Sequence, residues 1–294
     1  MLLLRGTFRA RGLQPDGDTI AFTPDDVADW KLVPGAHRLQ PKADGRVAIR
    51  LEAIDALETH YGDNESGVQH QPRPLAHQAT KELLTQLGFD RNFDRDDDQV
   101  ETISSTTPET VPGFILTGGV DVYGRCVALV GTRPPVFNGY EIDVDVELLK
   151  KTVNYHLVKQ GLVYPTFYTG FPDHLRSALT AAAREAKGAT PPKGVWAKDV
   201  TRDGVKIVDM TSLTADDGAV ILPKLFRRLK DYLDLKPANN SLACFPAFLG
   251  GAADKFYLQG EPNRRTGLQN IVKVSDDNIV KMTHPVEDIT FDEE

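Results

Sequence analysis

Val47-Ala48-Ile49-Arg50-Leu51-Glu52-Ala53-Ile54-Asp55, running on into Ala56-Leu57-Glu58, is the stretch from which the rest of the chain is read. Its apolar residues at 47, 49, 51 and 53 alternate with their neighbours, the period of a β-strand with one buried face. Strict alternation places Arg50 and Glu52 on one face and Asp55 on the other. The strand is expected to end near Asp55, leaving Glu58 in the following turn, where side chains can converge on a ligand.

Working outward, a first strand is expected over Leu2 to Leu13. A turn at Pro15-Asp16-Gly17 and a second strand through Thr19–Thr23 follow. Residues 24–46, 59–74 and 90–113 read as irregular connections. Phe114–Thr117 and Cys126–Val130 read as strands flanking Gly118-Gly119 and Tyr123-Gly124-Arg125. Pro74 precedes an amphipathic helix ending at Gly88. Further helices are expected at about 145–160, 173–187 and within Ile221–Leu235. The tail Pro285–Glu294 is acidic and is expected to be disordered at its end.

Composition excludes several classes. The chain has 294 residues, 40% hydrophobic and 26% charged, as ordinary globular proteins do. No run of about 18 apolar residues marks a membrane span. Met1-Leu2-Leu3-Leu4-Arg5 is too short for a secretory core, so a cytoplasmic location is expected. Two cysteines, Cys126 and Cys244, form no disulfide framework and are expected to be buried thiols. The seven histidines show no metal-ligand spacing. A net charge of −8 argues against a general nucleic-acid coat but not against an enzyme with positive charge focused in one cleft. Some of that acidity is local: Asp90, Asp94, Asp96, Asp97, Asp98 and Glu101 read as a solvated loop.

Asp16-Gly17-Asp18-Thr19, Arg50/Asp55/Glu58 in the pattern R-x4-D-x2-E, and Tyr123-Gly124-Arg125 resemble, in that order, the motifs of the staphylococcal nuclease (thermonuclease) family. Val153–Leu162 resembles the family's second helix, and Gly194-Val195-Trp196 its closing segment. The resemblance covers about residues 1–198 and implies an α+β fold: an OB-like five-stranded barrel plus three helices. Residues 199–294 would be an extra C-terminal α/β region of unassigned role. The resemblance further implies a Ca2+-dependent nuclease acting on DNA or RNA. Asp18 and Asp55 would be carboxylate ligands of Ca2+, with the backbone carbonyl of Ala56 as a third. Glu58 would be the general base, Arg50 and Arg125 the phosphate-binding arginines, and Tyr123 an aromatic near the phosphate. One departure is local: Ala56-Leu57 stands where the family has Thr-Pro, which removes a stiff turn before Glu58.

The residue types suit that chemistry. Attack on a phosphodiester adds negative charge to an anion, so positive charge must be in place beforehand. Arginine grips phosphate with a planar fork that keeps its proton, and a hard cation takes oxygen ligands. The alternative is a nuclease-like barrel with a weak or silent site, used as a nucleic-acid or protein binding module. Acidic net charge and the Ala56-Leu57 departure favour it; retention of Asp18, Arg50, Asp55, Glu58 and Arg125 opposes it. The C-terminal region is a candidate surface for a protein partner. It and the acidic 90–101 segment are also candidate covers for the cleft.

Overall fold

The computed structural model describes residues 1–35, 37–63, 65, 67–96 and 101–292. Leu2–Arg9 pairs antiparallel with Thr19–Pro24 on one side and Thr110–Val120 on the other. Thr19–Pro24 continues to Val47–Leu51, which runs parallel to Cys126–Gly131. Cys126–Gly131 returns to Thr110–Val120 and closes the ring. The result is a closed five-stranded barrel with additional strands and helices, the mixed α+β, OB-like fold expected. Leu4, Phe8, Ile20, Phe22, Ile49 and Ile115 are among its fully buried residues. Phe8 and Phe22 meet at 4.9 Å between ring centroids. Gly113 is required beside them, since a Cβ there would lie 2.3 Å from the Phe8 ring.

The 47–55 strand differs from expectation in one decisive way. It stops at Leu51, turns through Ala53 at φ 64°, and resumes as Ile54–Ala56 paired with Val163–Pro165. The left-handed residue breaks the alternation, so Asp55 comes round to Arg50 instead of facing away from it. The 145–160 helix is likewise two pieces, Val146–Leu149 and Val153–Lys159. Thr152 is extended between them and caps the second through its side chain, which accepts from the Tyr155 N–H. Arg73–Leu87, with Gly88 left-handed at its end, and Asp173–Gly188 match the pattern read from sequence.

Residues beyond 198 are joined to the barrel region by sheet and core. Phe167–Tyr168 pairs parallel with Ile289–Asp292, which pairs antiparallel with Lys255–Leu258. Buried residues on both sides of 198 belong to one apolar cluster. The tail is therefore structured through Asp292: Ile289 and Phe291 are buried, and Asp292 meets Arg264 at 3.0 Å. Glu293 and Glu294 lie outside the described residues. Cys126 is buried, as expected, whereas Cys244 is exposed. In the acidic segment Glu101 pairs with Arg73 and Arg95 at 3.3 Å and with His77, so it is a buttress more than a free solvated charge. Asp97 and Asp98 lie outside the described residues. Among the described residues no helix is long and apolar enough to cross a membrane.

Candidate active site

A cleft of about 790 Å³ opens where the barrel meets the C-terminal region. Its barrel wall begins with the turn before the second strand. The Asp18 carbonyl accepts the Leu51 N–H at 2.7 Å, and its carboxylate accepts the Ala56 N–H at 3.1 Å and the Thr19 hydroxyl at 3.2 Å. One aspartate thus ties the turn to both halves of the broken strand. Gly17 is needed for the turn to pass so close, because a Cβ there would sit 2.5 Å from Ala79. Arg50 and Asp55, brought together by the break at Ala53, lie 3.6 Å apart, and the Arg50 guanidinium sits over the Tyr168 ring at 5.5 Å.

Glu58 is fixed by a residue that sequence reading passed over. The Glu58 N–H donates to the Gln71 side-chain oxygen at 3.2 Å, and the Gln71 N–H donates to the Glu58 carbonyl at 2.8 Å. Gln71 is fully buried, and its side-chain Nε2 donates to the Ile221 carbonyl at 2.8 Å. These bonds stiffen the turn that lacks a proline. On the next loop Asp121 accepts the N–H groups of Tyr123 and Arg125 at 3.0 and 2.9 Å and holds Arg125 Nε at 2.7 Å. Arg125 lies 5.5 Å from the centroid of the Tyr123 ring, which stands at the rim, 80% exposed.

The opposite wall is the helix Pro223–Leu233 with Asp254 and Lys255. Lys224, Arg227 and Arg228 fall at i, i+3 and i+4, on one helical face turned to the cleft. Arg228 grips Asp254 with bonds of 2.7 and 2.8 Å, and Lys224 approaches the same carboxylate at 3.5 Å. Arg227 reaches across. Its guanidinium meets Asp55 at 3.2 and 3.4 Å and makes a close contact with Glu58.

Burial governs the electrostatics. It pushes the Asp18 carboxyl up to about 7, helped by neighbouring Asp16 and Asp55 and opposed by Arg50. It pushes Glu58 up to about 8 against the pull of Arg227. Asp16 is raised as well, chiefly by burial. Arg227 loses to burial but gains more from Asp55 and Glu58, so its proton is held more firmly than usual. Mutually repelling carboxylates in a shielded cleft form a site that a hard cation would relieve. Among the described residues no three potential ligands close into a ready cage. The carboxylates of Asp18 and Asp55 are an oxygen-only donor pair, which is chemically compatible with a hard cation such as Ca2+.

Of the residues singled out by motif, Asp18, Arg50, Asp55, Glu58, Tyr123 and Arg125 all line this one cleft. Ala56, whose carbonyl is the third expected ligand, is not among the lining residues, and its N–H donates to Asp18. Sequence reasoning missed Asp16 as a lining residue, together with Tyr168, Lys224, Arg227 and Arg228. The spacing of the three basic residues on an amphipathic helix was the only available signal for the second wall. Searches found no family model that matches this chain and no curated protein that matches it.

Proposed function

We propose that this chain is a Ca2+-dependent nuclease that hydrolyses phosphodiester bonds of DNA or RNA with little sequence preference. The observation that supports this most is convergence. Three motifs separated by tens of residues bring two arginines and three carboxylates to one cleft. Arg50 and Arg125 would bind the non-bridging phosphate oxygens and hold charge where it builds up in the transition state. Glu58, whose carboxyl is raised by burial and pulled down by Arg227, would in its ionised form take the proton from the attacking water. Ca2+ held by Asp18 and Asp55 would polarise the phosphate and supply the remaining positive charge. Six arginines and lysines line the cleft against six carboxylates, so its formal charges balance although the chain carries −8, and the cation would supply the excess positive charge a phosphate needs. Contacts to phosphate carry little sequence information, hence the low specificity.

A binding module with a weak site is the second reading, and one contact favours it: Arg227 engages both Asp55 and Glu58. Cleavage of single- and double-stranded DNA and RNA with Ca2+, Mg2+ or EDTA separates the two. Ca2+-dependent products from the wild type that fall by about 10²–10⁴-fold in Glu58→Gln are expected. Binding without cleavage in every metal would establish the module instead.

A further inference from the structure

We propose that Arg227, contributed by the C-terminal region, is a phosphate-binding residue of this active site and exchanges its carboxylate partners for a substrate phosphate. The inference rests on the nuclease reading above but is tested separately from it. It starts from a contrast among the arginines of the cleft's outer wall. Arg228, the neighbour of Arg227 on the helix, pairs with Asp254 and Asp231, both within the C-terminal region. Arg227 instead pairs with Asp55 and Glu58, the two groups assigned to metal and proton.

Charge balance points the same way. Asp16, Asp18, Asp55 and Glu58 face Arg50 and Arg125 across the barrel half of the cleft, four acids against two guanidiniums. A phosphate entering that half alone meets net repulsion, and Arg227 brings the third fork. The Arg227 side chain is 23% exposed while those of Asp55 and Glu58 are 2% and 8%, so its outer edge is reachable from the cleft. When a divalent cation takes over Asp55, like-charge repulsion works against the present pairing and frees the guanidinium toward the incoming anion. Its placement is also built in. Gln71 bonds to the Glu58 backbone and to Ile221 ahead of the helix, so one buried amide sets the base and the arginine in register.

The test uses the full chain with Arg227→Met and Arg227→Lys. Binding of a fluorescein-labelled, single-stranded phosphorothioate oligonucleotide is read by anisotropy in EDTA and in Ca2+, beside cleavage of unmodified single-stranded DNA. Arg227→Met is expected to weaken binding at least tenfold and to lower kcat/KM by about 10²–10³-fold. Lysine should restore part of the binding, because it returns charge without the fork. Unchanged binding in Arg227→Met overturns the proposal, and so does tighter binding with faster cleavage, which would make Arg227 a plug. If Arg227→Met does not melt like the wild type, Arg227→Lys decides: binding weakened threefold or more supports the role, and wild-type binding overturns it. A wild type that binds but never cleaves defeats the nuclease reading, while the binding arm still judges Arg227.

Discussion

The two walls of the cleft were built by different kinds of sequence information. On the barrel wall every functional group sits in a short motif: Asp18 in a turn, Arg50, Asp55 and Glu58 within nine residues, and Arg125 beside Tyr123. On the facing wall Lys224, Arg227 and Arg228 ride a helix whose other face is ordinary core, with Leu225, Phe226 and Leu229 buried. The first wall is local chemistry held by local bonds, such as the three hydrogen bonds around Asp121. The second acquires its role only through a partner about 170 residues away. Motifs thus report where a site begins, and tertiary packing decides where it ends.

The broadest way to break this contrast is to remove the second wall. A chain ending at Lys198 loses the Ile289–Asp292 strand that pairs with Phe167–Tyr168, and Phe256, Phe291, Phe226 and Leu229 with it. Fully burying each such side chain contributes about 1.5–3 kcal/mol, and folded domains keep only about 5–15 in hand. No cooperative thermal transition is expected for residues 1–198. A truncated chain that melts sharply and still cleaves would show that the facing wall is accessory.

Gln71 sharpens the comparison because it bonds to both walls. Gln71→Ala strands the buried Glu58 N–H and Ile221 carbonyl and leaves a void, for a loss of about 2–4 kcal/mol in urea unfolding. Glu58 and the Arg227 helix lose their common anchor, so on the proposed nuclease reading kcat should drop more than KM rises. Equal changes in kcat and KM would mean that Gln71 acts on substrate binding instead.

What was legible follows the same division. The barrel strands, the 73–87 and 173–188 helices and six cleft residues followed from alternation, helical spacing and three motifs. Alternation puts Asp55 on the wrong face, because a left-handed Ala53 carries no signature: alanine is usually a helix former, and the strain is sustained by pairing on both sides. The apolar spacing over 145–160 predicts one continuous helix because it survives a break that Thr152 makes through capping. The acidic composition of the tail conceals a strand, because the alternation of Ile289 and Phe291 spans only four residues and Asp292 is itself buried against Arg264. Gln71 offered nothing to read, since a lone glutamine in a loop becomes a brace only when two distant backbones meet it.

Glu52 tests whether the barrel wall's carboxylates are special or only buried. It lies two residues from Arg50 without lining the cleft, and its Oε2 has no hydrogen-bond partner among the described residues. Burial pushes it up to about 7 from 4.5, with Arg50 opposing. Between those values the folded protein holds a proton that the unfolded chain has released. Stability from this group therefore falls as pH rises through the window, by about 1–3 kcal/mol once pH exceeds 7. Glu52→Gln should match the wild type near pH 4 and exceed it by that amount near pH 8, with activity retained. A variant no more stable than wild type at pH 8 would mean that the ionised side chain finds compensation in solution.

Tyr123 sets the smallest expected effect and separates contact from construction. It is 80% exposed, its ring meets the Arg125 guanidinium at 5.5 Å, and the loop's geometry comes from Asp121 and the left-handed Gly124. Replacing it cannot open a core, so Tyr123→Ala should change the melting free energy by no more than about 0.5 kcal/mol. A base stacked on an exposed ring is worth about 1–3 kcal/mol, and the rim position argues for the low end. Single-stranded oligonucleotide binding should weaken about five- to tenfold in Tyr123→Ala and hold in Tyr123→Phe, because stacking needs the ring and not the hydroxyl. Equal loss in both variants would move the contact to the hydroxyl and a phosphate. No loss in either would leave Arg125 as the part of this loop that touches substrate.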